Sequence, residues 1–145
     1  MIIYNIIAPK FISYIIPILL MLLLVVPIIL ILYYMQHTTI TISKDFLTIK
    51  TLFYGKKISI RQIKINELRN LNLYNNDGYN IKRKVKGIRL PSYYAGWMTL
   101  NNGNKALVHV TDKKNVLLIP TNEYDILFST NDFDGIKKLL NDIKN

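Results

Sequence analysis

Residues Phe11–Met35 read FISYIIPILLMLLLVVPIILILYYM, twenty-five positions without a charge. As a helix rising about 1.5 Å per residue the run would reach about 37 Å, beyond the roughly 30 Å hydrocarbon core of a bilayer. Its seven Ile, seven Leu, two Val and one Phe each favour insertion by about 0.3–0.6 kcal/mol near a helix centre, on the order of 5–10 kcal/mol together. A buried core helix of this length would carry a polar stripe, and only Ser13 interrupts the apolar surface. A cleaved signal peptide would have a shorter apolar core and a small-residue cleavage site, and no A-x-A pattern follows Met35. The run therefore reads as a permanent transmembrane helix. Pro17 and Pro27 are tolerated in such helices, and Tyr14, Tyr33 and Tyr34 suit the aromatic belts at the two interfaces.

Outward from this helix, the chain divides into an N-terminal segment of residues 1–37, with the helix core at 11–35, and a second part of residues 38–145. The second part has the length of one small domain. Met1 to Lys10, which includes Ala8-Pro9, is expected at the interface, and Gln36-His37 form the exit. The chain contains no cysteine, so disulfides, thiolate metal sites and cysteine nucleophiles are excluded.

Charge is placed unevenly. Between Lys44 and Arg89 there are twelve Lys/Arg against three acids, an excess of nine; from Leu90 onward there are six of each. The basic half thus follows the membrane helix directly in sequence, where anionic leaflet lipids attract a cation by roughly 1 kcal/mol each. The cations at Lys44, Lys50, Lys56, Lys57 and Arg61 outnumber Lys10 and the α-amino group ahead of the helix. By the positive-inside rule this points to a cytoplasmic C-terminal domain of a single-pass protein in the cell membrane.

From Thr38 the apolar period becomes two. Thr38–Ser43, Phe46–Tyr54 and Lys57–Ile60 read as strands separated by turns at Lys44-Asp45 and Gly55-Lys56. Arg61–Tyr74 (RQIKINELRNLNLY) reads as one strand or a strand with a helical turn, the single strand being favoured, and Asn75–Gly78 as a turn. Tyr93–Leu100 and Lys105–Val110 form a hairpin about Asn102-Gly103, and Asn115–Ile119 and Tyr124–Phe128 are strands. Phe133, Ile136, Leu139, Leu140 and Ile143 form the apolar stripe of a closing helix, with Ser129 and Asp132 as its capping pair. The expected fold is an antiparallel barrel of about seven strands, plugged at an open end or edge by a C-terminal helix.

No glycine-rich phosphate loop, nucleophile pair or metal-ligand spacing occurs, so a non-enzymatic protein without metal or cofactor is expected. His37 and His109 stand alone in sequence and read as a solvated residue and a strand residue. Tyr93, Tyr94 and Trp97 read as strand aromatics facing a core rather than an exposed patch. The sharpest candidate is the basic stretch Lys82–Arg89, read as a loop. Its Lys82, Arg83, Lys84, Lys86 and Arg89, with Gly87 among them, would cradle a phosphate such as a lipid headgroup. Nucleic acid is the other use of such charge, but no binding motif accompanies it and the tether argues against it. A protein-interaction or scaffold role in a membrane complex, through a sheet edge or the aromatic segment, is the alternative.

A family resemblance follows from Lys86–Met98 (KGIRLPSYYAGWM), Asn102–Val108 (NGNKALV), Thr111-Asp112, Ile119-Pro120-Thr121 and Leu127-Phe128-Ser129. Together these resemble a bacterial PH-domain family. The resemblance runs from about Thr38 to Ile143, is specific from Gly87 onward, and departs from the pattern at Ser92 and Lys86. It implies a PH-like fold, a seven-stranded, partly open barrel capped by a C-terminal helix. It also implies membrane proteins without a known enzymatic activity, and transfers no binding residue.

Overall fold

A computed structural model of the chain describes residues 10–36, 38–51, 54–75 and 77–144. It falls into two units, Met1–His37 and Thr38–Asn145. Expectations placed on residues 1–9, on His37, on Leu52 and Phe53 and on Asn76 lie outside the described residues, as does the side chain of Tyr34.

In the first unit, α1 (Lys10–Gln36) runs as one helix of 27 residues through Pro17 and Pro27. Phe11–Tyr33 has a mean hydropathy of 3.4, and among the described residues this is the one helix long and apolar enough to cross a membrane. Its side chains are exposed on every face, including Leu19, Leu23 and Ile29. A helix apolar all round is of the kind that spans a membrane or fills a large core.

The second unit is built from β1 (Thr39–Ile42), β2 (Phe46–Lys50), β3 (Lys56–Ser59), β4 (Arg69–Leu71), β5 (Ile81–Leu90), β6 (Tyr93–Leu100), β7 (Lys105–Val110), β8 (Val116–Pro120), β9 (Asp125–Ser129) and α2 (Phe133–Lys144). β1-β2-β3 form a three-stranded antiparallel meander. The others form a six-stranded sheet in the order β4-β8-β9-β7-β6-β5. Among the described residues there are thus nine strands where about seven are expected. One pairing, β7 with β9, is parallel within an otherwise antiparallel sheet.

The parallel pair arises because β9 lies between β7 and β8, so the chain leaving β7 must pass over the end of β9 to reach β8. Ser129, at that end, fixes the crossing. Its Oγ accepts the N–H groups of Thr111 at 3.0 Å and Asp112 at 2.8 Å, and its hydroxyl donates to the Asp112 carbonyl at 2.7 Å.

The central strands β7, β8 and β9 of the six-stranded sheet are buried on both faces, which accounts for the continuous apolar runs ALVHV, VLLIP and ILF. Leu107, Leu117, Ile119, Ile126 and Phe128 share a core with Leu47, Ile49 and Ile58 of the meander and Leu140 of α2. The opposite side chains, Val108, Val116, Leu118, Leu127, Met98 and Leu100, cluster with Leu71, Leu73 and Tyr94, so the sheet curls around its own second core. This is the mainly β, barrel-like domain with a C-terminal helix that the pattern leads one to expect.

Three local expectations are corrected. Arg61–Tyr74 is not a single strand: Ile60–Gln62 and Ile65–Glu67 are 3-10 turns, and only Arg69–Leu71 pairs, with β8. Ile60 and Ile63, then Ile65 and Leu68, are three residues apart and all buried, the spacing a 3-10 turn brings to one side. The helix cap is Asp132, whose Oδ1 accepts the Gly135 N–H at 3.0 Å; Ser129 remains in β9 at the crossing. Leu139 leaves the apolar stripe and is 45% exposed, while Leu140 is fully buried.

Candidate functional site

Lys82–Arg89 is a strand, not a loop. β5 is ten residues long, pairs only with β6, and forms an edge of the six-stranded sheet. An edge strand buries little, so its apolar alternation is lost: Lys82, Arg83, Lys84, Val85, Lys86 and Arg89 are all exposed. Lys and bulges on an edge also guard it against further strand pairing.

Two bulges shift the β5–β6 register, between Ile81 and Arg83 and between Lys84 and Lys86. Lys84 stands opposite Met98, Val85 is left unpaired, and Lys86 stands opposite Trp97. Without the second bulge Val85 would face Trp97, and Lys86 would oppose Gly96 on the other face.

The next pair is Gly87 opposite Gly96, with φ of 156° and 113°. A Cβ on Gly96 would lie 2.4 Å from the Lys86 carbonyl oxygen and 2.7 Å from the Gly87 Cα. The two strands therefore touch backbone to backbone here. Gly87 is a packing residue in a ladder, which removes the open glycine cradle expected of a loop.

The cations of β5 consequently part company. Lys86 lines a cleft of about 300 Å³ with Tyr54, Gly55, Lys56, Trp97 and Leu107. The Lys105 Nζ lies 4.5 Å from the Trp97 ring centroid, and Tyr124 meets that ring edge-on at 4.9 Å. Arg89 lines a different hollow, of about 150 Å³, with Tyr94 and Lys113, whose Nζ is 4.9 Å from the Tyr94 ring centroid. Lys82, Arg83 and Lys84 lie along the exposed edge. A third groove, of about 600 Å³, is lined by Lys44, Phe46, Arg61 and Lys144 among others, with the Lys57 Nζ 3.9 Å from the Phe46 ring centroid. Sequence reading missed Lys56 and Trp97 as companions of Lys86. The one available signal was the pair of glycines, Gly87 next to Lys86 and Gly96 next to Trp97.

Of the aromatics, Tyr94 is buried, whereas Tyr93 and Trp97 are half-buried. Tyr93 stands edge-on to His109 at 5.5 Å. His109 is buried on β7 and shares a hydrogen bond through Nε2 with Thr38 Oγ1, while its Nδ1 has no partner. The titratable groups around it are Tyr93 and, across a small cavity, Tyr54; no carboxylate lines that cavity. Burial pushes the imidazole below its ordinary 6.5, because an imidazolium here would be desolvated without a counter-ion. The unfolded chain takes up this proton as pH falls through about 6.5 while the folded chain resists, so acidification is expected to destabilise the fold progressively below that pH. Denaturant melts across pH test this. His109→Gln should flatten the dependence between pH 7 and pH 5, and an unchanged slope would remove His109 as its source.

Among the described residues no cluster of three or more His, Cys, Asp or Glu is placed to hold a metal ion.

A curled β domain closed by one C-terminal helix, with cationic hollows on its surface, is the architecture of a PH-type binding module. The profile of the bacterial PH domain family matches residues 38–143, and the chain belongs to that family. No curated protein matches the chain, and no solved structure does.

Proposed function

We propose that the chain is a membrane-anchored, non-catalytic PH-type module whose cationic half engages anionic lipid headgroups at the cytoplasmic face. The observation that carries this reading is the junction of two features in one chain. A helix of membrane length and fully apolar surface precedes a PH domain with twelve cations against three acids between Lys44 and Arg89. PH-type domains generally bind rather than catalyse, which supports the non-enzymatic reading. Exposed charges tethered beside a lipid surface act within a screening length of about 8–10 Å at physiological salt.

The test uses the full chain in nanodiscs of phosphatidylcholine, with or without phosphatidylglycerol. Hydrogen exchange of the β5 segment is expected to slow in the anionic discs at low salt, and the difference to shrink as salt rises. Equal exchange in both lipids at low salt would remove the headgroup role.

A further inference from the structure

We infer that the cleft between Lys56, Lys86 and Trp97 is an anion site for the phosphoryl group of a small phosphate ester. This deepens the headgroup reading and rests on it for the membrane source of the ligand, though not for the cleft's chemistry.

The cleft is assembled from three parts of the chain: the start of β3, the centre of the β5–β6 pair, and β7. Lys56 and Lys86 are both exposed and line it together, and no carboxylate is among the residues that do. Lys105 lies against the Trp97 ring but belongs to a separate hollow that also holds Glu123 and Asp125, so the cleft's own cations are Lys56 and Lys86. The Gly55 backbone forms part of the wall, and the buried side chain of Leu107 part of the lining. Two ammoniums lining one cleft face the same small space, and a phosphoryl group accepts charge-assisted hydrogen bonds from several ammoniums at once.

Two irregularities in the fold serve this arrangement. The bulge at Val85 turns Lys86 onto the Trp97 face, and the Gly87–Gly96 contact draws the two strands together immediately beside it. At about 300 Å³ the space lies at the small end of ligand pockets, matching a phosphoryl group on a short polyol stem rather than a nucleotide.

Trp97 is the only tryptophan in the chain, so its emission reports on the cleft alone. The full chain in non-ionic detergent is titrated with glycerol 3-phosphate, with sodium chloride as the ionic-strength control. A saturable change in Trp97 emission is expected. It should weaken about tenfold or more in Lys56→Gln/Lys86→Gln, through loss of two charge-assisted contacts. It should persist in Lys82→Gln/Lys84→Gln, which removes the same charge from β5 outside the cleft. Thermal melts of both variants exclude unfolding as the cause.

The nanodisc arm then identifies the source. Loss of lipid-dependent protection in Lys56→Gln/Lys86→Gln assigns the phosphoryl group to a lipid headgroup, and retained protection assigns it to a free phosphate ester. Equal weakening in the two double variants, or no saturable change in the unsubstituted chain, overturns the site. Either result leaves lipid-dependent protection of the unsubstituted chain as a separate test of the headgroup reading.

Discussion

Gly96→Ala is expected to lower the melting temperature of the β domain by roughly 10–20 °C. Two costs combine. Gly96 has a φ of 113°, a conformation that costs an L-residue about 1–2 kcal/mol. The added Cβ would meet backbone atoms at 2.4 Å and 2.7 Å. Backbone cannot swing aside as a side-chain tip can, so the strands must part, at a further cost of about 1–3 kcal/mol. Gly103→Ala is the control. Its φ is 89°, but nothing lies within 4 Å of the added carbon, so only the conformational cost applies, about 1 kcal/mol. The measurement is a thermal melt of the full chain in detergent, followed by Trp97 emission. A Gly96→Ala melt within about 3 °C of the original would show that β5 and β6 are not pressed together at this pair. Because Lys86 and Trp97 flank it, separation of the strands would also open the cleft.

The second large effect is expected at the closing helix. Leu140 is the fully buried side chain of α2 and belongs to the core shared by the meander and the six-stranded sheet. Leu140→Ala removes it from a site with no solvent to refill the space, at a cost of about 2–5 kcal/mol. Leu139, one residue away and 45% exposed, should cost within about 0.5 kcal/mol on the same substitution. Urea melts of the two variants measure the difference directly. Comparable losses would mean that α2 is rotated about its axis from the orientation described.

That pair of leucines shows where the sequence was legible and where it was not. A stripe at positions 133, 136, 139, 140 and 143 is wide enough to cover a sheet, and its existence could be read without a structure. Which of two adjacent leucines lies at its centre depends on how the helix is rolled against the 3-10 turns Ile60–Gln62 and Ile65–Glu67, and no local pattern encodes that. The apolar helix α1 was readable from length and composition alone, because a helix satisfies its own backbone hydrogen bonds and a run this long and apolar carries no competing period. The hairpin at Asn102-Gly103 and the doubly buried strands β7, β8 and β9 were readable because strong local signals agree with the tertiary outcome. Arg61–Tyr74 misled because Ile63 and Ile65 alternate as in a strand, while the pairs Ile60–Ile63 and Ile65–Leu68 obey a period of three.

The basic stretch misled for a different physical reason. An edge strand with one neighbour buries too little for its period to show, and five cations over ten residues read as a solvated loop. The candidate cleft was less legible still. Lys56 and Lys86 are thirty residues apart in the chain, and their meeting depends on a bulge at Val85 that leaves no mark in composition or spacing. The glycines of the family pattern were visible from the start. Their reason, a backbone contact between two strands, became visible only with the register.

The most direct test of the central claim is a membrane wash. Membranes from cells expressing the full chain are sedimented, extracted with alkaline carbonate, and sedimented again. On the proposal that α1 anchors it in the bilayer, the protein is expected to stay in the pellet and to be released only by detergent. Recovery in the carbonate supernatant would contradict an anchored module, and with it the proposal that the cationic domain works at a lipid surface.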